Sequence, residues 1–259
     1  MNQRMFSLIK EKNFCRKFFA VSLILSVTVQ SFGQTDPKTQ AVQRLQDLAA
    51  NYRKADHLSF KVTYRYSSEL RPASFLDSLT GSFKLNGNSF WYGIDNAEFL
   101  GNDSINIAVF NQDKVIYVNG KSIVNQSANP LAMIDSVLLN NQYNSASITS
   151  VAGVDDLVIN FQTGFQFKKV EYFIDSKSGL IKRMIGIIKS QEMYDPAVQP
   201  LFDKNQAYGI LDISFTNYQT ASFTDQALSP GKYFVKMNGN YQGLGAYSSY
   251  QILIGSSKP

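Results

Sequence analysis

Apolar and polar positions alternate strictly through "LSFKVTYRY": Leu58, Phe60, Val62, Tyr64 and Tyr66 fall on one side, Ser59, Lys61, Thr63 and Arg65 on the other. A period of two marks a strand with one buried face. The preceding stretch, "TDPKTQAVQRLQDLAANYRKAD", has a different period. Val42, Leu45, Leu48, Ala49 and Tyr52 form one stripe opposite Gln, Arg and Asp, which predicts a helix. Thr35 or Asp36 suits its cap and Pro37 its first turn. Further strands are expected at about 75–86, 89–95, 105–111 and 114–119, with turns at Asn86-Gly87-Asn88, Gly101-Asn102-Asp103, Gln112-Asp113 and Asn119-Gly120. A second set follows at about 146–152, 156–162, 167–175, 180–189, 207–217, 232–238 and 249–254.

One segment breaks the run of strands. In "ANPLAMIDSVLLNN", residues 128–141, Asn129 can cap a helix, Pro130 fits its first turn, and Leu131, Ile134 and Leu138 recur at helical spacing. So many alternating strands joined by hairpin turns predict one antiparallel sheet, strongly curled. Two helices are too few for a layer of their own, so both are expected against the concave mouth of the sheet. The fold class is mainly β with α, an incomplete, half-open antiparallel β-barrel with a helical lid.

The amino terminus changes the charge picture. Arg4, Lys10, Lys12, Arg16 and Lys17 precede an apolar run from Phe18 to Val29, and Ser31-Phe32-Gly33 offers small residues for cleavage. Residues 1–33 are expected to be a secretory signal peptide, with Gln34 the first mature residue and one domain over 34–259. The run is about 12 residues, short of the roughly 20 that a spanning helix needs. Cys15, the sole cysteine, precedes that run and is not placed as the lipid-bearing cysteine of a lipoprotein. The leader carries +4 of the chain's formal +5, which leaves about +1 and no nucleic-acid footprint. A mature chain without cysteine excludes disulfides and thiolate chemistry.

Catalytic groups are sparse. His57, the sole histidine, sits at a helix–strand junction, where capping the helix end is its expected role. Asp155-Asp156 reads as a turn before a strand rather than a carboxylate pair. No nucleophile elbow, P-loop, dinucleotide fingerprint or metalloprotease motif occurs. No catalytic residue, metal or cofactor is expected, and the chain does not read as an enzyme. Three Asp-Ser-aliphatic triplets, at Asp77-Ser78-Leu79, Asp103-Ser104-Ile105 and Asp135-Ser136-Val137, resemble a bacterial O-glycosylation sequon, but tripeptides this loose recur by chance, and chance is the expected reading from sequence alone. Apolar positions are richer. Phe83 and Leu85 face Phe90, Tyr92 and Ile94 across a turn, while Trp91, the single tryptophan, points to the opposite face.

The order of segments resembles the LolA-like superfamily of periplasmic lipoprotein carriers, which includes LolB and the RseB-type regulators. "LQDLAANYRKADHLSFKVTYRY", "GSFKLNGNSFWYGI", "INIAVFNQDKVIYVNG", "NPLAMIDSVLL" and "FKKVEYFIDSKSGLIKRMIGII" followed by "YGILDISFTNYQ" carry the likeness, over about residues 38–235. The resemblance implies an open barrel with a lid over an acyl-chain cavity. It implies a periplasmic carrier of lipid or lipoprotein acyl chains, acting as a chaperone in transport and touching the membrane transiently. Phe60, Val62, Phe83, Leu85, Phe90 and Tyr92 would line the cavity, and Leu131, Ile134 and Leu138 the lid. A lid that releases its cargo should rest loosely on the barrel. An envelope protein partner, with no lipid transported, is the alternative. Carriers of this family have an arginine in the second-strand hairpin; here the turn reads Asn86-Gly87-Asn88. The tyrosine-rich last 20-odd residues extend beyond the matched region.

Overall fold

The computed structural model describes residues 36–120, 143–193, 207–222 and 225–255. The segment 128–141, with Leu131, Ile134 and Leu138, lies outside them, as does the leader.

Helix α1 (Pro37–Lys54) opens the described chain. Its buried residues are Ala41, Leu45, Leu48, Ala49 and Tyr52, so the stripe turns slightly from the one expected and Ala41 replaces Val42 as the deep contact. Arg53 and Lys54 stand in the last turn, where the carbonyl end of the helix favours cations. β1 (His57–Ser68) follows at once and buries Leu58, Phe60, Val62 and Tyr64, the alternation read from the sequence.

The remaining strands are β2 (Arg71–Asn86), β3 (Ser89–Ile94), β4 (Ala97–Gly101), β5 (Ile105–Phe110), β6 (Val115–Gly120), β7 (Tyr143–Val151), β8 (Val154–Phe161), β9 (Phe167–Asp175), β10 (Ile181–Lys189), β11 (Tyr208–Gln219), β12 (Phe234–Met237), β13 (Asn240–Gly243) and β14 (Gln251–Ile254). Twelve of them form one curved sheet, not closed into a barrel, in the order β14-β6-β5-β4-β3-β2-β1-β11-β10-β9-β8-β7. β12 and β13 pair separately. The expected antiparallel pairing holds except at one edge, where β14 runs parallel to β6 with Gln251 opposite Val115. Two strands absent from the expected set, β4 and β13, are short. β4 places Phe99 and Leu100 on opposite faces, so no polar residue separates them to mark the period.

The β2–β3 turn needs Gly87, which adopts a φ of +56°, a conformation that costs glycine little. Its N–H donates to the Asp56 carbonyl at 2.7 Å, tying the turn to the helix–strand junction. Among the described residues no helix is long and apolar enough to cross a membrane.

Candidate apolar site on the concave face

The inner face of the sheet has two halves. Over β8–β11 and β1 it is closed by α1. Leu157, Val170, Tyr172, Ile174 and Ile213 expose none of their surface, and Leu45, Leu48 and Ala49 of the helix expose at most 2%. The helix is fastened as well as packed. Arg44 meets Asp155 at 2.9 Å, and the Lys38 ammonium lies 4.7 Å from the centre of the Tyr143 ring. Tyr218 donates to the Ile181 carbonyl at 2.8 Å, so the 2.8 Å contact between the Tyr52 and Tyr218 hydroxyls is a bond donated by Tyr52. The Ile181 N–H completes the ring by donating to the Tyr52 oxygen at 3.3 Å. Burial pushes the Tyr52 hydroxyl up to about 12, against the smaller opposing effects of these two partners. α1 is thus bolted to the concave face; the helix expected to rest loosely as a lid, with Leu131, Ile134 and Leu138, lies outside the described residues.

Asp155 and Asp156 do not form a pair. Neighbours on a strand face opposite ways. Asp155 takes Arg44 from the helix side together with the hydroxyls of Ser150 at 2.7 Å and Ser176 at 2.8 Å. Burial raises its carboxyl, but these bonds outweigh it and hold the group below its ordinary value. On the outer face Asp156 is raised, first by burial and then by the charge of Glu171. His57 begins β1 in register with Asn86.

Over β3–β6 the pattern is different, because these strands are apolar on both faces. The outer face carries Leu100, Ile107, Val109, Ile116 and Val118, all buried beneath Tyr233, Phe234 and Tyr247 of the carboxy-terminal segment. Within that cover Glu98 accepts from Trp91 Nε1 at 3.0 Å, Lys232 Nζ at 2.6 Å, Tyr233 Oη at 3.1 Å and Tyr247 Oη at 2.9 Å. Burial alone would raise Glu98, but Lys232, Tyr247 and Trp91 together hold it below the usual carboxylate range. The tyrosine-rich tail is thus the outer wall of this half, and Trp91 faces it as the alternation implied.

The inner face of the same strands has a lesser cover. A row of rings runs outward from the core: Tyr92 to Phe99 at 6.3 Å, Phe99 to Phe110 at 6.2 Å, Phe110 to Tyr117 at 5.8 Å between centroids. Tyr92 is 5% exposed and anchors the row by donating to the Tyr64 hydroxyl at 3.2 Å; Tyr117 at the far end is 42% exposed. Phe99 and Phe110 are half-buried. The register sets Ala97 beside Phe110 and Ala108 between Phe99 and Tyr117, leaving low ground next to the rings. This strip presents no nucleophile and no acid–base pair. It can hold hydrocarbon.

The six strand residues singled out from the sequence are brought together by the fold. Phe60 stacks on Phe83 at 5.0 Å, and Phe60, Val62, Phe83 and Tyr92 are buried in the core shared with α1. Leu85 and Phe90 pack half-buried against it. Phe99, Phe110 and Tyr117 were not singled out. For Phe110 and Tyr117 the signal is the double-sided apolar character of "INIAVF" and "VIYV", in which every position but Asn106 is apolar or aromatic; Phe99 lies in the short "AEFLG". Among the described residues no group of three His, Cys, Asp or Glu side chains could hold a metal ion.

No family model matches the sequence, and no curated protein is similar to it in sequence. Solved structures are similar in fold. An uncharacterized conserved protein from Thermus thermophilus matches over 83% of this chain and 99% of its own, at 8% identity and a TM-score of 0.44. A LolA superfamily protein from Nitrosomonas europaea matches over 76% and 99%, at 9% identity and a TM-score of 0.33. The MucA/MucB complex of Pseudomonas aeruginosa supplies a third, over 79% of this chain and 63% of the other, at 14% identity and 0.40. The likeness is structural only.

Proposed function

We propose that the protein is an exported carrier that binds an acyl chain of a lipid or lipoprotein along the open half of its concave face. The observation that carries this reading is the half-exposed inner strip of Phe99, Phe110 and Tyr117 on strands whose other face is already sealed. A soluble sheet normally turns one apolar face inward and one polar face to water. Here the face left over is apolar. Each methylene laid along it contributes about 0.8 kcal/mol, so one chain binds firmly without polar contacts. Tyr92, Leu85 and Phe90 form the inner margin of the strip, and Leu131, Ile134 and Leu138 are proposed from their spacing to close over the ligand.

Delivery requires contact with a membrane, and the β1–β2 hairpin suits it. Leu70 at its tip is 82% exposed and Phe75 51%, with Arg65 5.3 Å from the Phe75 ring. Apolar side chains beside a cation fit a bilayer interface. Export rests on the basic leader and apolar run of residues 1–33. Titration of the purified mature protein with a fluorescent fatty acid, competed by phospholipid, tests the reading. Saturable, competable binding is expected; its absence rules out the carrier.

A further inference from the structure

We propose that Ser78 and Ser104 are O-glycosylated, each within an Asp-Ser-aliphatic triplet. The chain contains four Asp-Ser pairs, and the fold sorts the three among the described residues into two kinds. Ser176 follows Asp175 but precedes Lys177, and its hydroxyl is used internally, donating to Asp155 at 2.8 Å. Ser78 and Ser104 precede Leu79 and Ile105. Both are exposed, and among the described residues neither hydroxyl takes part in a hydrogen bond. Ser136, in the third triplet, lies outside the described residues.

The two triplets share an inward third residue and an exposed serine, although one lies in a strand and the other in a turn. In each, the third residue turns inward: Leu79 packs on the core beneath α1, and Ile105 on the core beneath the carboxy-terminal segment. That contact pins the backbone, while aspartate and serine stay exposed, Asp77 on the inner and Ser78 on the outer face of β2. In each, the serine N–H is already satisfied by a side chain, from Asp77 Oδ1 at 2.7 Å or from Asn102 Oδ1 at 2.9 Å. The amide is therefore not competing for the hydroxyl, which points to solvent as a free acceptor site. Asp103 is steadied by Asn88 Nδ2 at 2.7 Å. A transferase that reads a carboxylate followed by a hydroxyl meets both groups on the folded surface.

The reaction needs a donor with an activated sugar, here a polyprenyl-diphosphate-linked oligosaccharide. The serine oxygen attacks the anomeric carbon, the new C–O bond replaces the bond to diphosphate, and the diphosphate leaves. The serine proton passes to a base of the transferase. This inference rests on the export part of the proposed function and not on acyl binding.

Intact mass spectrometry of the protein purified from the envelope of its source organism decides it, with fractionation locating the chain in the same preparation. The expected mass exceeds the polypeptide by whole glycan increments. Ser78→Ala and Ser104→Ala each remove one increment, as do Asp77→Ala and Asp103→Ala, which keep the hydroxyl. Ser176→Ala removes none. An envelope protein of unmodified mass overturns the inference while leaving export standing; a chain found in the cytoplasm overturns both. Increments that survive in the Ser78→Ala, Ser104→Ala double variant and disappear only with Ser136→Ala overturn the assignment to these two sites.

Discussion

Over β8–β11 the inner side chains Leu157, Tyr172 and Ile213 lie fully covered beneath α1, whereas over β3–β6 Phe99 and Phe110 are half-buried and Tyr117 keeps 42% of its surface in solvent. The outer faces are reversed. Behind β9–β11 stand ionic pairs, with Arg183 meeting Asp212 through two bonds of 2.8 and 2.9 Å and Lys169 meeting Glu171. Behind β3–β6 lies a second apolar core closed by the carboxy-terminal segment. Among the described residues each half has one apolar cover. In the first half the remaining face mixes these ionic pairs with half-buried Val158, Phe173, Ile185 and Ile187. In the second it carries the row of rings Phe99, Phe110 and Tyr117, and that asymmetry is the ground on which the binding strip is proposed there.

The largest expected effect comes from attacking the sealed half. Leu48→Asp puts a carboxylate where no surface is exposed. With no partner for the charge, the cost is several kcal/mol, enough to unfold a domain of ordinary stability. Thermal unfolding followed by circular dichroism should show loss of the cooperative transition. The outer cover of the other half ranks next. Glu98→Ala leaves Lys232, Trp91, Tyr233 and Tyr247 without their shared acceptor. A buried pair broken in this way costs about 3–5 kcal/mol, and the partial exposure of both partners, 16% and 28%, reduces this to about 2 kcal/mol. Because the folded carboxyl is lowered, its contribution is complete above the unfolded value of about 4.3 and is lost as pH falls through the lower folded one. The difference in stability between parent and variant should therefore shrink at acid pH.

Asp156 has the opposite sign. Its carboxyl is raised by burial and by Glu171, so stability is retained below the unfolded value of about 3.9 and lost as pH rises through the raised folded one. Asp156→Asn should stabilise the fold at neutral pH and change little in acid, as denaturant titration at two pH values would show. The smallest effect on stability belongs to the exposed hairpin. Leu70→Asp should leave the unfolding midpoint within about 0.5 kcal/mol of the parent while lowering co-sedimentation with lipid vesicles. Equal co-sedimentation would remove the hairpin from the account.

Much of this asymmetry can be read along the chain. The α1 stripe, the β1 alternation and the outward turn of Trp91 follow directly from spacing, because each depends on residues within a few positions of one another. What seals each half does not. Phe60 and Val62 look the same in sequence whether a ligand or a helix covers them, and Tyr52 finds Tyr218 across 166 residues. The parallel pairing of β14 with β6 joins segments more than a hundred residues apart, and nothing in "QILI" states its partner. β4 was hidden because Phe99 and Leu100 serve different cores in succession. The strip itself was legible only as strands too apolar for one buried face, a signal that gains meaning once Tyr233, Phe234 and Tyr247 are seen to cover just one side.

Equilibrium titration of Phe110→Asp against the parent with the same fluorescent fatty acid tests the central claim most directly. Phe110 is half-buried and outside both cores, so the variant should keep its circular dichroism spectrum and its unfolding midpoint to within about 1 kcal/mol. A carboxylate on the strip should weaken acyl binding tenfold or more, about 1.4 kcal/mol. A folded variant that binds the fatty acid as tightly as the parent would contradict the assignment of the open half as the binding face.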